Sequence, residues 1–160
     1  ERHLLGVPEL APVVQAVGPC TLAPEPDLFR ALVRAMIAQL ISTAAARSIT
    51  TRLEAAVGGR VSADAVAGLT DEQFKACGIS GGKMRAIRDL AAHVRSDPDF
   101  VRRVADADDA EVRRLLLPLR GIGPWTVDMI LMFSMARPDI LPVGDLGLRA
   151  GVRDLYRLDG

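Results

Sequence analysis

Residues 117–126 read Leu117-Pro118-Leu119-Arg120-Gly121-Ile122-Gly123-Pro124-Trp125-Thr126. Two glycines one residue apart allow a tight turn, and because neither carries a Cβ, another surface can approach the backbone closely. Pro124 suits the first turn of a following helix, where its missing N–H costs nothing. The amides at that helix start would then point outward as anion donors, an arrangement that binds phosphate. The alternative is a plain helix–helix turn, which an isolated Gly-x-Gly favours.

The sequence around this segment has the spacing of helices. Apolar residues recur every three or four positions in several runs, and Thr70-Asp71-Glu72-Gln73 has the order of a capping box. Because sustained period-two alternation is absent, we predict an all-α fold, a bundle of about eight helices of ordinary length. The runs with helical spacing are 27–41, 44–57, 70–77, 80–96, 108–116 and 125–135.

The composition narrows the function classes. The chain has 160 residues, which fits a single domain over 1–160, with 20 Lys+Arg balanced by 20 Asp+Glu. A net charge of zero argues against charge-driven coating of nucleic acid, so any contact with DNA must be local. Cys20 and Cys77 are too few for an iron–sulfur cluster or a zinc site, and we expect a reduced, cytoplasmic setting. The longest apolar run, 115–119, is far shorter than the ~18–20 residues that span a bilayer, so we expect no membrane partner.

A second informative segment contains an aspartate twenty residues after Trp125. It reads Leu141-Pro142-Val143-Gly144-Asp145-Leu146-Gly147-Leu148-Arg149. An Asp between a glycine and an apolar helical run is typically an N-cap. The helix dipole and the first amides keep such a carboxylate ionised, which also suits a group that stabilises positive charge or orients water. Asp145 is therefore a candidate for a cap, a catalyst or both.

Together these features resemble the helix-hairpin-helix DNA glycosylase superfamily, most closely its 3-methyladenine DNA glycosylase II branch. Residues 29–42 are similar to that branch's helix and Gln-Leu turn, and Gly78-Ile79-Ser80 with Lys83 resembles its second loop. The resemblance covers about 25–158 and implies a bundle with the active-site cleft beside the hairpin. It also implies that the C-terminal helices of the family are missing here, since only fifteen residues follow Asp145.

The resemblance implies the activity of a monofunctional DNA glycosylase in base excision repair. Such an enzyme flips alkylated purines of the 3-methyladenine and 7-methylguanine type out of duplex DNA and hydrolyses the N-glycosidic bond. Asp145 would be the catalytic carboxylate, which stabilises an oxocarbenium-like state. Bifunctional members carry a nucleophilic Lys where this chain has Trp125, so we expect an abasic product and no AP lyase activity.

The same resemblance assigns a base pocket and a wedge. Trp125 would attract cationic alkylated purines through its indole face, and Met129 lies one helical turn further on. The alternative for Trp125 is a buried residue that packs the hairpin. Leu40, directly after Gln39, matches the branch's wedge that enters the duplex, but it also fits the apolar stripe of a core helix.

Further residues are expected at the DNA backbone. The carbonyls of Leu117, Leu119 and Gly121 match positions that often hold a monovalent Na⁺ or K⁺ in the superfamily, and no other cofactor is implied. Arg120 and Lys83 are candidate phosphate partners, although either can be a solvated surface charge. The residues expected to contact DNA are Gln39, Leu40, Lys83, Arg120, Gly121, Ile122, Gly123 and Thr126.

The expected partner is double-stranded DNA with damaged bases, bound by a monomer that is nucleoid-associated if the source is bacterial. A non-catalytic DNA-binding module that keeps the hairpin is the alternative. Asp145 argues against it, because phosphate binding gains nothing from an anion near DNA. A helical protein–protein module would require the hairpin and Asp145 to be coincidental.

Overall fold

The computed structural model describes residues 2–158. The expectation that the C-terminal helices of the family are missing concerns a region outside these residues. The described part is helical and contains no strand, which confirms the all-α prediction. It has eleven helices, roughly in line with the predicted eight, and two of them, α1 and α5, are only four and five residues long. The helices are α1 (Arg2–Leu5), α2 (Ala11–Val17), α3 (Leu28–Ala38), α4 (Thr43–Ala56), α5 (Ala63–Ala67), α6 (Asp71–Cys77), α7 (Gly81–Ser96), α8 (Phe100–Asp106), α9 (Asp109–Leu116), α10 (Pro124–Phe133) and α11 (Leu146–Tyr156).

The chain divides into two compact units. The larger unit is Pro24–Ile140, and the terminal unit combines Glu1–Ala23 with Leu141–Gly160. The prediction of one domain over 1–160 stays a prediction. Among residues 2–158, we find no helix with both the length and the apolar character needed to span a membrane.

The larger unit is built around α3, which packs against α4, α7, α8 and α10. Eight of the eleven residues of α3 are buried, because its apolar positions recur with helical spacing on a broad stripe. Leu32, Val33 and Ile37 are fully buried, and each such side chain contributes about 1.5–3 kcal/mol on burial. The apolar run of α10 completes this core with Val127 and Leu131.

Side-chain caps set the starts of several helices in this unit, among them α6 and α9. The capping box predicted at Thr70 is present: the Thr70 side chain accepts the N–H of Gln73, and the Thr70 N–H donates to the Oε1 of Gln73. Asp108 caps α9, since its Oδ1 accepts the N–H of Glu111 at 2.8 Å. Each of these caps satisfies a backbone donor that has no partner inside its helix.

Two predicted helix boundaries differ from the structure. The run predicted over 27–41 ends at Ala38, because Gln39 has a ψ of 126° that a right-handed helix does not allow, and Leu40 follows with a φ of 59°. The helix predicted over 125–135 begins one residue earlier and ends two residues earlier, and spans Pro124–Phe133. Pro124 therefore occupies the first helical turn, as its missing N–H favours.

The terminal unit contains α1, α2 and α11, and α1 packs against α2. None of the described residues in these three helices is buried. Helix α11 begins after its N-cap Asp145 and ends at Tyr156, and the following Arg157 adopts a left-handed conformation. This unit thus carries the second informative segment of the sequence.

Candidate active site

The glycine segment joins α9 to α10 as a hairpin that docks against two other helices. Gly121 has a φ of 76°, and a Cβ at this position would lie 2.7 Å from the Cβ of Ala86 and 3.3 Å from the Cε of Met36. The backbone conformation and the close approach both require glycine. Ile122 is only 5% exposed and anchors the hairpin in the core, and contact of this residue with DNA stays a prediction. By contrast, a Cβ at Gly123 would face open space, with nothing packed within 4 Å of it.

Helix α10 begins without a side-chain cap. Its N-cap is Gly123, in an extended conformation with φ −108° and ψ 178°, and Pro124 follows in the first turn. The N–H groups of a first helical turn have no acceptor inside the helix, and the helix dipole favours an anion there. The geometry therefore agrees with a phosphate site at Gly121 and Gly123, whose contact with DNA stays a prediction.

Gln39 contacts the hairpin directly. Its Nε2 donates to the carbonyl oxygen of Gly121 and to the Oγ1 of Thr126, each at 2.8 Å. Thr126 is 1% exposed, and its buried hydroxyl finds the hydrogen-bond partner it needs in Gln39, which reaches the first turn of α10. Contact of Gln39 or Thr126 with DNA stays a prediction. Gln39 and Thr126 are thus hydrogen-bonded to each other.

Leu40 follows Gln39 on the outside of the molecule. Its side chain is 95% exposed, so the alternative that it belongs to the core is wrong. Its left-handed φ of 59° is uncommon for a residue with a branched side chain and costs about 1–2 kcal/mol. Other contacts must therefore hold this turn in place. The assignment of Leu40 as the wedge stays a prediction.

Lys83 binds the backbone of the turn that carries Leu40. Its Nζ donates to the carbonyl oxygens of Ile37 at 2.6 Å and Gln39 at 2.9 Å, at the end of α3. Burial lowers the pKa of the Lys83 ammonium from its ordinary value. The sequence interpretation as a phosphate partner missed this role, because spacing along the chain does not place α7 beside the end of α3. Two of the three N–H donors are engaged, and contact of the third with phosphate stays a prediction.

Two arginines near the hairpin have different surroundings. Arg120 forms an exposed pair with Asp89 at 3.2 Å and lies at the surface, where a phosphate can reach it. Arg113 donates to the Oδ1 of Asp128 at 2.7 Å and ties α9 to α10 on the two sides of the hairpin. Asp128 is 8% exposed, and sequence reasoning missed it. The available signal was a single carboxylate inside the apolar run of α10.

The predicted base-pocket residues both belong to α10. Trp125 and Met129 are half-buried, and Met129 packs against the core of the larger unit. They lie four residues apart and so share one face of the helix. The role of Trp125 toward a base stays a prediction.

Asp145 lies in the terminal unit, at the start of α11. Its Oδ1 accepts the N–H of Leu148 at 2.8 Å, which confirms the predicted N-cap. Gly147 is close by, since a Cβ there would lie 3.3 Å from the same carboxylate oxygen. The catalytic role of Asp145 stays a prediction.

The carbonyls predicted to hold a monovalent cation have the right donor chemistry. Carbonyl oxygens are hard ligands that suit Na⁺ or K⁺, and each has two lone pairs. One lone pair is used at Leu119, which accepts the N–H of Ile122 at 3.1 Å, and one at Gly121, which accepts from Gln39. The three carbonyl oxygens therefore have the donor chemistry that such an ion needs, and its binding stays a prediction. Over residues 2–158, no group of three or more His, Cys, Asp or Glu side chains could hold a metal ion.

The all-helical bundle and its glycine turn define a helix-hairpin-helix protein. The chain belongs to the HhH-GPD superfamily of base excision DNA repair proteins, whose family model matches residues 33–160. This confirms the resemblance found in the sequence.

Individual relatives agree with the family. DNA-3-methyladenine glycosylase 1 of Schizosaccharomyces pombe is 30% identical over 165 residues, covering 99% of this chain and 72% of the relative. Among solved structures, Schizosaccharomyces pombe 3-methyladenine DNA glycosylase in complex with abasic DNA has a TM-score of 0.87 at 28% identity, over 99% of this chain and 81% of that one. A DNA-3-methyladenine glycosidase from Bacillus halodurans has a TM-score of 0.76 at 32% identity, over 96% and 71%.

Proposed function

We propose that this chain is a DNA glycosylase of base excision repair that removes alkylated purines from duplex DNA. The observation that carries the proposal is the 30% identity, over 99% of the chain, with a protein named DNA-3-methyladenine glycosylase 1. The uncapped start of α10 supports it, because backbone amides there suit a phosphate. The substrate class is that of the 3-methyladenine and 7-methylguanine lesions.

The reaction is a hydrolysis at the sugar C1′. An N3- or N7-alkylated purine carries a positive charge, so it leaves with the electrons of the glycosidic bond as a neutral base and needs little help from a general acid. Positive charge then develops on the sugar, and the Asp145 carboxylate stabilises it. Water adds to C1′ and gives up its proton, leaving an abasic site. Because water is the second substrate, this reaction requires no redox or group-transfer cofactor.

The hairpin and the turn at Leu40 would supply binding. The amides at Gly123 and the start of α10 hold a backbone phosphate, and Arg120 adds a surface cation. A Na⁺ or K⁺ bound to the carbonyls of Leu117, Leu119 and Gly121 would offset phosphate repulsion. Leu40 would fill the space in the duplex that the extruded nucleotide leaves.

We further propose that the product is an unbroken abasic strand. A lyase needs an amine that forms an imine with the sugar, and Trp125 offers none at the position where bifunctional members carry Lys. The chain has two lysines. The amine of Lys83 donates hydrogen bonds to two carbonyl oxygens at the end of α3, and Lys75 is an exposed residue of α6. Borohydride trapping on abasic duplex should give no covalent adduct, and reproducible trapping would contradict this assignment.

The decisive experiment compares base release from methylated duplex by the wild type and by Asp145→Asn. Asparagine caps a helix as well as aspartate, so the free energy of unfolding should stay within about 0.5 kcal/mol. The excision rate should nevertheless fall by roughly a hundredfold or more, the scale for losing a group that stabilises transition-state charge. Equal rates would remove Asp145 from the mechanism. Duplex binding without base release by the wild type would favour the non-catalytic module.

Base selection is tested separately at Trp125. Replacing the indole by the methyl group in Trp125→Ala removes the face that attracts a cationic purine, which is worth about 0.5–2 kcal/mol. The excision rate of 7-methylguanine, divided by the excision rate of a neutral lesion, should therefore drop roughly twofold to thirtyfold. The Kd for undamaged duplex should change little. A variant with unchanged selectivity would assign Trp125 to packing alone.

A further inference from the structure

The turn that carries Leu40 is held from two sides by polar side chains. Lys83 reaches it from α7, with its Nζ 2.6 Å from the Ile37 carbonyl oxygen and 2.9 Å from that of Gln39. Gln39 in turn reaches the hairpin, with its Nε2 2.8 Å from the carbonyl oxygen of Gly121. A continuous set of hydrogen bonds therefore connects α7, the turn and the hairpin.

These bonds answer a specific structural need. The last carbonyls of a helix lack partners inside it, and a cation at this end also interacts favourably with the helix dipole. Leu40 cannot fix its own conformation, because its side chain is 95% exposed and its φ of 59° is disfavoured. The conformation of the turn must therefore come from the residues that bind its backbone.

We propose that Lys83 is a positioning residue for the wedge: it fixes the backbone of the turn so that Leu40 is presented at a set place relative to the hairpin. The inference rests on the proposed function, in which Leu40 enters the duplex. In this role Lys83 acts by ordering the turn of Leu40 and not by contacting DNA. A wedge that is already ordered enters the base stack without a further loss of conformational entropy, which speeds extrusion of the lesion.

A direct phosphate contact by Lys83 makes different predictions. Neutralising one phosphate contributes about 0.9 to the slope of log K against log salt, so its loss would lower that slope for any duplex. A positioning role leaves the slope unchanged and slows excision. The two roles are therefore separated by measuring binding to undamaged duplex and excision of a lesion side by side.

The first experiment uses Lys83→Met, with Lys75→Met as the matched control at an exposed lysine of the same chain. We expect single-turnover release of 7-methylguanine to fall about tenfold in Lys83→Met, the scale of losing one charge-assisted hydrogen bond. The salt slope for undamaged duplex should match that of the wild type, and Lys75→Met should match it in both measurements. A slope reduced by about one, with excision lowered only in proportion to binding, would overturn the inference.

A double-mutant cycle then tests the route through Leu40. Leu40→Ala removes the wedge, so adding Lys83→Met to it should lower the excision rate by less than about twofold further. Independent effects that multiply would overturn the inference. So would wild-type excision by Leu40→Ala, since the wedge itself would then have no role, while base release would still uphold the glycosylase assignment.

A third measurement does not depend on activity. Amide hydrogen exchange over residues 38–42 should be faster in Lys83→Met than in the wild type, with exchange in α9 and α10 unchanged. If the wild type releases no base, the proposed function falls, and this measurement still decides whether Lys83 orders the turn. Should Lys83→Met not fold, Lys83→Gln, which keeps one donor, replaces it throughout. Equal exchange in variant and wild type would overturn the inference.

Discussion

Replacing Leu40 by glycine should leave the protein at least as stable as the wild type while lowering base excision. The side chain is 95% exposed, so its removal gives up almost no buried apolar surface. The φ of 59° costs a leucine about 1–2 kcal/mol, and glycine adopts it without that cost. Leu40→Gly therefore relieves strain that the native turn otherwise contains.

The gain is partly offset in the unfolded state. Glycine makes the unfolded chain more flexible, which lowers stability by about 0.4–1 kcal/mol at a conformationally compatible position. The net change in the free energy of unfolding should thus lie between about 0 and +1.5 kcal/mol. Leu40→Ala is the matched control: it keeps a Cβ in the left-handed region, so its stability should stay within about 0.5 kcal/mol of the wild type.

Urea denaturation followed by circular dichroism measures the first quantity, and release of methylated base measures the second. A gain in stability coupled to a loss of activity indicates strain that is maintained for function. Destabilisation of Leu40→Gly by more than about 2 kcal/mol, the scale of a buried leucine, would refute the reasoning. Full excision activity in both variants would refute the wedge assignment instead.

Two further predictions concern the hairpin. Gly121→Ala should destabilise by about 2 kcal/mol or more, because its φ is positive and its new methyl group would lie 2.7 Å from a neighbouring one. Gly123→Ala, where nothing lies within 4 Å, should cost at most about 1 kcal/mol in the same denaturation assay, and equal losses would contradict the packing argument. Arg113→Ala should cost about 2 kcal/mol by leaving the carboxylate of Asp128 buried without its ion pair, whereas Arg114→Ala at the exposed surface should cost about 0–1 kcal/mol; a small loss in both would contradict a structural role for the buried pair.

The sequence was most informative where chemistry is local. Helical spacing and caps such as Thr70 depend on residues three or four positions apart, and these are visible along the chain. The hairpin was also predictable, because the positive φ of Gly121 is a backbone demand that glycine meets. The N-cap at Asp145 follows from the same kind of local rule.

What the sequence could not supply was the pairing of distant positions. Leu40 fits the apolar stripe of α3 by spacing, yet the helix ends before it, and only the fold shows the side chain in solvent. Gln39 and Thr126 are 87 positions apart, so nothing in their spacing predicts the hydrogen bond that buries the threonine hydroxyl. Lys83 was assigned to phosphate for the same reason, since its partners lie 44 and 46 residues away.

The neutral charge of the chain gains a physical meaning from its ion pairs. Of the 20 Lys+Arg side chains, at least ten arginines in the described part form ion pairs with carboxylates. A cation already paired with a carboxylate neutralises little additional charge on a phosphate. Under the proposed function, donors that carry no formal charge therefore add to cations such as Arg120, whose exposed ion pair a phosphate can replace. The backbone amides at Gly123 and the start of α10 are candidates for such donors. Gln39 hydrogen-bonds the same hairpin to the turn of Leu40, so the proposed phosphate contact and the proposed wedge lie on directly connected segments.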